Sequence, residues 1–287
     1  MGMVKHFVPP AVKHVVKRVD EGWRILTGPI RLLPDFIIIG AQKCGTTSLY
    51  RYLMQHPCVV PPFRKEVHFF SIHFGRGLTW YQSHFPSFLY KAYTRQTRGR
   101  NLVIGEASPY YIFHPVAPKR ISETIPQVEL IAMLRNPVDR AYSHYHHEVR
   151  KGRETLPFEA AIEREAERLA GETERMIEDE NYYSFNHHRY TYLSRGIYVN
   201  QLEIWLRFFS REQILILKSE DLYADSSTVL RHVLEFLNLP AWEPKEYMNY
   251  NPAGYPRMNP NTKKRLTDYF EPHNQRLYKY LGASFDW

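Results

Sequence analysis

Four residues in one turn point to chemistry first. Residues 36–57 read FIIIGAQKCGTTSLYRYLMQHP, setting Lys43, Gly45, Thr46 and Thr47 between an apolar run and a helical pattern. A glycine-containing turn from a parallel strand into a helix presents unpaired backbone N–H groups at the helix's positive end. Gly45 lets the chain come close to a ligand. The two threonines add hydroxyl donors, and Lys43 adds a point charge. Such a turn holds a phosphate-type anion. The spelling differs from the Walker loop, in which lysine directly follows the last glycine and Ser/Thr follows the lysine. Here Lys43 precedes Gly45 by two positions and Cys44 follows it. A Walker ATPase also keeps an acidic metal ligand at a strand end. The run LIAML ends instead in a cation, Arg135. The expected ligand is an anionic nucleotide held without a metal.

Other reactive types lie nearby. In KEVHFFS, residues 65–71, Glu66 and His68 are two apart. Extended backbone would point both one way, and Lys65 and Val67 the other. The same run also reads as a plain buried strand with Glu66 exposed. Cys44 beside Lys43 could have a lowered thiol pKa, or serve only as a small loop residue. His144, His146, His147, His187 and His188 lack the carboxylate or cysteine spacing of a metal site, so they read as helix-surface or acceptor-groove residues.

These groups need a frame. Residues 35–40 form a short apolar run before a glycine, as in a buried parallel strand. Leu49, Tyr50, Leu53 and Met54 follow at helical spacing, and Pro57 stops them. Residues 101–106 and 128–137 read as further strands, the second followed by a helix over 138–152. Residues 212–222 read as a fourth strand before a helix over 227–240. This alternation predicts an α/β fold, a P-loop-like central parallel sheet flanked by helices. The charged segment 158–181 reads as a helical solvated face or a lid. The last helix sets Leu266, Tyr269 and Phe270 on one stripe, with Asn259 or Asn261 as its cap. Residues 1–33 read as an N-terminal extension, and 34–287 as the domain. Within the extension, Val12, Val15, Val16 and Val19 oppose Lys13, Lys17 and Arg18. That is a basic amphipathic helix over 11–20, suited to packing on the domain or to weak membrane-surface contact.

Composition narrows the classes. At 44% hydrophobic and 15% aromatic, the 287 residues do not describe a disordered chain. No run of eighteen apolar residues predicts a membrane span, and no signal-peptide pattern opens the sequence. A net charge of +8 suits an anionic partner. No long Lys/Arg block suggests a nucleic-acid arm. Two cysteines, Cys44 and Cys58, do not make a disulfide scaffold; the expected setting is reducing, hence cytoplasmic.

The motifs together resemble the PAPS-dependent sulfotransferases, especially their heparan-sulfate and bacterial branch. GAQKCGTTSL is similar to that family's 5'-phosphosulfate loop, and LRNPVDRAYSHYHH to its 3'-phosphate motif. KEVHFFS is similar to its catalytic segment, and RGIYVNQLEIWLRFF to a later one. The resemblance covers about residues 34–281. It implies PAPS (3'-phosphoadenosine 5'-phosphosulfate) as co-substrate, PAP as product and no metal. It implies nucleotide contacts from Lys43, Cys44, Gly45, Thr46, Thr47, Arg135 and Ser143, and from Tyr247, Gly254 and Tyr255 in the late loop. Lys43 would stabilise the leaving phosphate, Glu66 would be the base, and His68 would serve the transferring oxygens. The acceptor would be a hydroxyl or amine on a carbohydrate, lipid-linked or small molecule, contacted by Glu106, Ser108 and Tyr110. Ala107 stands where the heparan enzymes carry a lysine. A P-loop kinase or ATPase, a non-catalytic PAP-binding protein and a nucleic-acid binder are the alternatives.

Overall fold

The structure, a computed structural model, describes residues 20–248 and 254–287. The amphipathic stretch read over 11–20 lies outside these residues, but for Asp20. Five parallel strands form one sheet in the order β2-β3-β1-β4-β5. They are β1 (Phe36–Gly40), β2 (Val59–Val60), β3 (Val103–Ala107), β4 (Glu129–Leu134) and β5 (Ile214–Lys218). All five residues of β1 are buried, as its continuous apolar run requires of a central strand covered on both faces. β3 passes so close to Phe36 that a Cβ on Gly105 would lie 2.0 Å from the Phe36 ring. Only glycine fits there.

After β1 the chain turns toward β2 and β3; after β4 it turns the other way, toward β5. The carboxyl ends of β1 and β4 are therefore the topological switch point, where open α/β sheets bind ligands. Helix α1 (Thr46–Leu53) follows β1, α2 (Leu78–Gln82) and α3 (Phe88–Arg98) precede β3, and α4 (Ala117–Thr124) leads to β4. Helix α5 (Pro137–Arg150) leaves β4. Asn136 caps it by accepting from the amides of Val138 and Asp139, and Pro137 stands at its first position.

Several expectations need correction. Residues 65–71 form no strand. The fourth predicted strand ends at Lys218, and a helix starts at Ser219. Segment 158–181 is three short helices, α6 (Phe158–Glu163), α7 (Glu165–Leu169) and α8 (Glu172–Glu178). It is solvated on one side only: Phe158, Ala161, Ile162 and Met176 are buried. Of its acids, Glu165 serves the backbone, accepting from the amides of Leu193 and Ser194 and from the Ser194 hydroxyl, whereas Glu159 accepts from the Thr262 hydroxyl and Glu163 pairs with Arg265.

The remaining helices are α9 (Phe185–Arg189), α10 (Tyr198–Trp205), α11 (Ser219–Ala224), α12 (Ser226–Phe236) and α13 (Pro260–Leu281). Asn259, not Asn261, caps α13. Its Leu266 and Phe270 join Val138, Ala141 and Phe158 in a second core cluster, whereas Tyr269 is exposed.

Candidate active site

The turn after β1 begins the site. Gly45 has φ +83°, a left-handed value that glycine adopts without strain. An added Cβ would meet Leu222, Ser219 and Tyr223 at 3.3 Å, so α11 closes the loop from behind. The first amides of α1 have no intrahelical partners. Arg135, directly after β4, donates from Nη1 to the Lys43 carbonyl at 3.3 Å. The guanidinium thus clips the loop to the neighbouring strand end. Burial, with the charges of Arg150 and Arg135, holds the Lys43 ammonium below its usual pKa.

A cleft of about 290 Å³ opens over this loop. Its lining includes Gln42, Lys43, Gly45, Thr46, Thr47, Glu66, His68, Tyr110 and Arg135. The sequence reading did not single out Arg150 and Arg189, which also face it. Lys43, Arg135, Arg150 and Arg189 stand against one carboxylate, Glu66. Such an imbalance suits a multiply charged anion. Among the described residues, no group of three or more His, Cys, Asp or Glu is arranged to hold a metal.

Glu66 and His68 do share a side, though not through extended backbone. His68 has φ +55°, and its amide donates to Ser108 Oγ at 3.1 Å. Its Nε2 lies 3.3 Å from Glu66 Oε2. Lys65, expected to face away, instead bridges the two halves of the site. Its Nζ donates to Thr47 Oγ1 at 2.8 Å and to Glu66 Oε1 at 3.1 Å. Burial disfavours the charged form of Glu66, but the His68 hydrogen bond and the Lys65 charge outweigh it and hold the carboxyl at about 2.

The other wall comes from α9. Tyr110 stacks on His188 with ring centroids 4.2 Å apart, and its hydroxyl lies 2.7 Å from His187 Nδ1. His188 and His147 line the cleft, while His144 and His187 are buried. Burial, with the charges of Lys43 and Arg150, lowers His147 to about 4. Beneath the cations, the fully buried Glu148 approaches Arg153 at 3.2 Å and Arg189 at 3.9 Å. Arg195, also fully buried, donates to Gln42 Oε1 and to the carbonyls of His187 and His188.

Seven expected contacts sit elsewhere. Glu106 is fully buried and does not reach the cleft. It accepts from Tyr81 Oη at 3.1 Å, and burial drives its carboxyl up to about 8. It lies within β3, opposite Ile37 of β1, where no acceptor fits. Ser108 is likewise buried, serving the His68 amide. The Cys44 side chain points into the core against Tyr198 Oη at 3.6 Å, and burial pushes its thiol up to about 11, not down. Ser143 is 5% exposed and not part of the lining. Tyr247 packs edge-on against Tyr52. Tyr255 stacks on His146 at 4.5 Å, and Gly254 is exposed; neither lines the cleft.

Comparison with known proteins identifies the family. The family model for the sulfotransferase domain matches residues 33–287. The crystal structure of a sulfotransferase from Alicyclobacillus acidocaldarius superposes with a TM-score of 0.62 at 34% identity, covering 88% of this chain and 98% of that one. Membrane-associated sulfotransferase kil1 of Dictyostelium discoideum is 28% identical over 91% of this chain and 68% of its own length. Heparan sulfate glucosamine 3-O-sulfotransferase 3B1 of Mus musculus is 30% identical over 89% of this chain. The chain spans 65% of that mouse enzyme, and only 30% of the bifunctional heparan sulfate N-deacetylase/N-sulfotransferase 1 of Caenorhabditis elegans.

Proposed function

We propose, on the premise that this chain belongs to the sulfotransferase-domain family, that it moves a sulfuryl group from PAPS to a hydroxyl or amine of its acceptor. The observation carrying this reading is that Lys43, Arg135 and Glu66 line one cleft at the sheet's switch point. The loop fits the phosphates of such a co-substrate: it offers a helix start, a left-handed Gly45 and two cations. PAPS supplies the sulfuryl group and a phosphate leaving group; the protein positions and neutralises charge. Lys43 meets the charge that grows on the leaving phosphate. Arg135 takes the nucleotide's second phosphate, without Ser143.

Glu66 accepts the acceptor's proton. A carboxyl held at about 2 is a weak base, but it need not act early. As the new S–O or S–N bond forms, the attacking atom's proton becomes strongly acidic, so late transfer to a weak carboxylate is downhill. An incoming anion also competes for Lys65, which loosens its grip on Glu66 Oε1. His68 donates to the transferring oxygens. Tyr110, His188 and Arg189 form the acceptor wall. The relatives named for heparan sulfate make a carbohydrate hydroxyl or amine the first acceptor class to try, ahead of lipid-linked and small-molecule acceptors.

The test combines PAP calorimetry with transfer of labelled sulfate from PAPS to pooled glycans. Glu66→Gln should lose roughly 10²- to 10⁴-fold in turnover while binding PAP as before, because Glu66 does not hold the nucleotide. Full activity of Glu66→Gln removes it from the mechanism. Absence of PAP binding by the unmodified protein overturns the whole reading.

A further inference from the structure

Helix α3 is built the wrong way round for a helix that only packs on its own domain. Of its eleven residues, only Thr94 is buried. At 100° per residue, Phe88, Leu89, Ala92 and Tyr93 share the side opposite Thr94. Phe88, Leu89 and Tyr93 are 49%, 57% and 62% exposed. A helix this short is marginal without a covered apolar face.

A second exposed apolar segment adjoins it. Trp23 and Leu26, 63% and 79% exposed, precede a chain laced to the turn that leads into α3. Arg24 donates to the Ser83 carbonyl and Arg31 to that of Phe85. Arg31 also pairs with Ser87, and the Leu32 amide donates to Pro86. Single exposed apolar residues need no explanation, but a contiguous patch marks an interaction face.

Charge selects the partner. Residues 88–100, FLYKAYTRQTRGR, carry Lys91, Arg95, Arg98 and Arg100 and no acid. Lys91 lies 3.5 Å from Asp35; among the described residues, Arg95, Arg98 and Arg100 have no ion-pair partner. Arg95 borders the apolar side of the helix, and Arg98 is exposed at its C-terminal end. Aromatic rings beside unpaired cations on an amphipathic helix match the boundary between lipid tails and anionic headgroups.

We propose that α3 and the adjoining helical segment that carries Trp23 and Leu26 form a face that docks the protein on an anionic lipid bilayer. The aromatic and aliphatic side chains enter the headgroup layer, and the arginines pair with lipid charge. This docking is separate from the chemistry proposed for the cleft, since none of these residues lines it.

The test is co-sedimentation of the full chain with vesicles of phosphatidylcholine alone, or with roughly a third phosphatidylserine. Binding is expected only to the anionic vesicles. Each cation near such a surface is worth about fivefold in partitioning, so Arg95→Glu with Arg98→Glu should weaken binding at least twentyfold by that estimate. Leu89→Ser with Tyr93→Ser should also weaken it, with unchanged circular dichroism and unchanged sulfate transfer to a soluble acceptor. No vesicle binding, equal binding to neutral vesicles, or binding unaffected by both pairs would overturn the proposal. So would a dimer in solution that Leu89→Ser with Tyr93→Ser dissociates, which would make the face a contact between copies.

Discussion

Replacing Glu106 with glutamine tests whether this buried acid is neutral in the folded protein. The folded carboxyl holds its proton up to about pH 8, whereas an unfolded glutamate releases it near its ordinary value of about 4.3. Between these pH values the unfolded chain binds fewer protons, so stability falls as pH rises. Each unit costs about 1.4 kcal/mol. At pH 7 the cost reaches about 3.6 kcal/mol, and above pH 8 about 5 kcal/mol. Glutamine cannot ionise, yet its amide oxygen can still accept from Tyr81. Glu106→Gln should therefore match the unmodified protein near pH 4.5 and exceed it by about 3.6 kcal/mol at pH 7. For a chain of this length that is roughly 6 °C in Tm. Thermal melts of both proteins at pH 5, 7 and 8.5 read the difference. Subtracting them removes any constant packing effect of the substitution. A difference flat across that range would refute the reasoning. Since Glu106 does not reach the cleft, kcat/KM should stay within about threefold; a hundredfold loss in a folded variant would return Glu106 to the chemistry.

Three more outcomes are expected. Lys65→Met removes a charge that keeps Glu66 ionised, so the Glu66 pKa should rise and a pH profile of kcat/KM should gain an acid limb that the unmodified enzyme lacks. Gly45→Ala forces a side chain into left-handed backbone at about 1–2 kcal/mol, and calorimetry should show weaker PAP binding along with the lower Tm. His114, His144, His187 and His188 are buried with lowered pKa values, chiefly from burial. Below about pH 6.5 the unfolded chain takes up protons that these rings refuse. Each should then cost about 2 kcal/mol by pH 5, beyond what Glu106 returns, and urea titrations should show the net fall.

What the sequence disclosed, and what it hid, follows from the range of each interaction. The strand, turn and helix around Lys43 were legible because their signals are local: an apolar run, a glycine, a helical period. Arg135 was legible for the same reason, at the end of an apolar strand. Glu66 and His68 were correctly paired, but for a different cause, since the Ser108 hydroxyl and a left-handed His68 set their geometry. Arg150 and Arg189 gave no local signal, because they share one cleft only once α5 and α9 come together, with Arg189 beside Glu148. Lys65 was assigned the wrong side because period-two alternation was applied to an irregular segment. Glu106 was misplaced because an acid inside a central strand looks, in sequence, like one at its end.

The Arg195 tether has a consequence for anyone redesigning this protein. One guanidinium grips Gln42 in the donor loop and the main chain of His187 and His188 beneath the acceptor wall. The loop after β1 and the wall from α9 are thus not separable modules. Grafting a foreign α9 to alter the acceptor side of the proposed site would pull on the loop proposed to seat the nucleotide, so a transplant should carry Gln42 and Arg195 along with the helix.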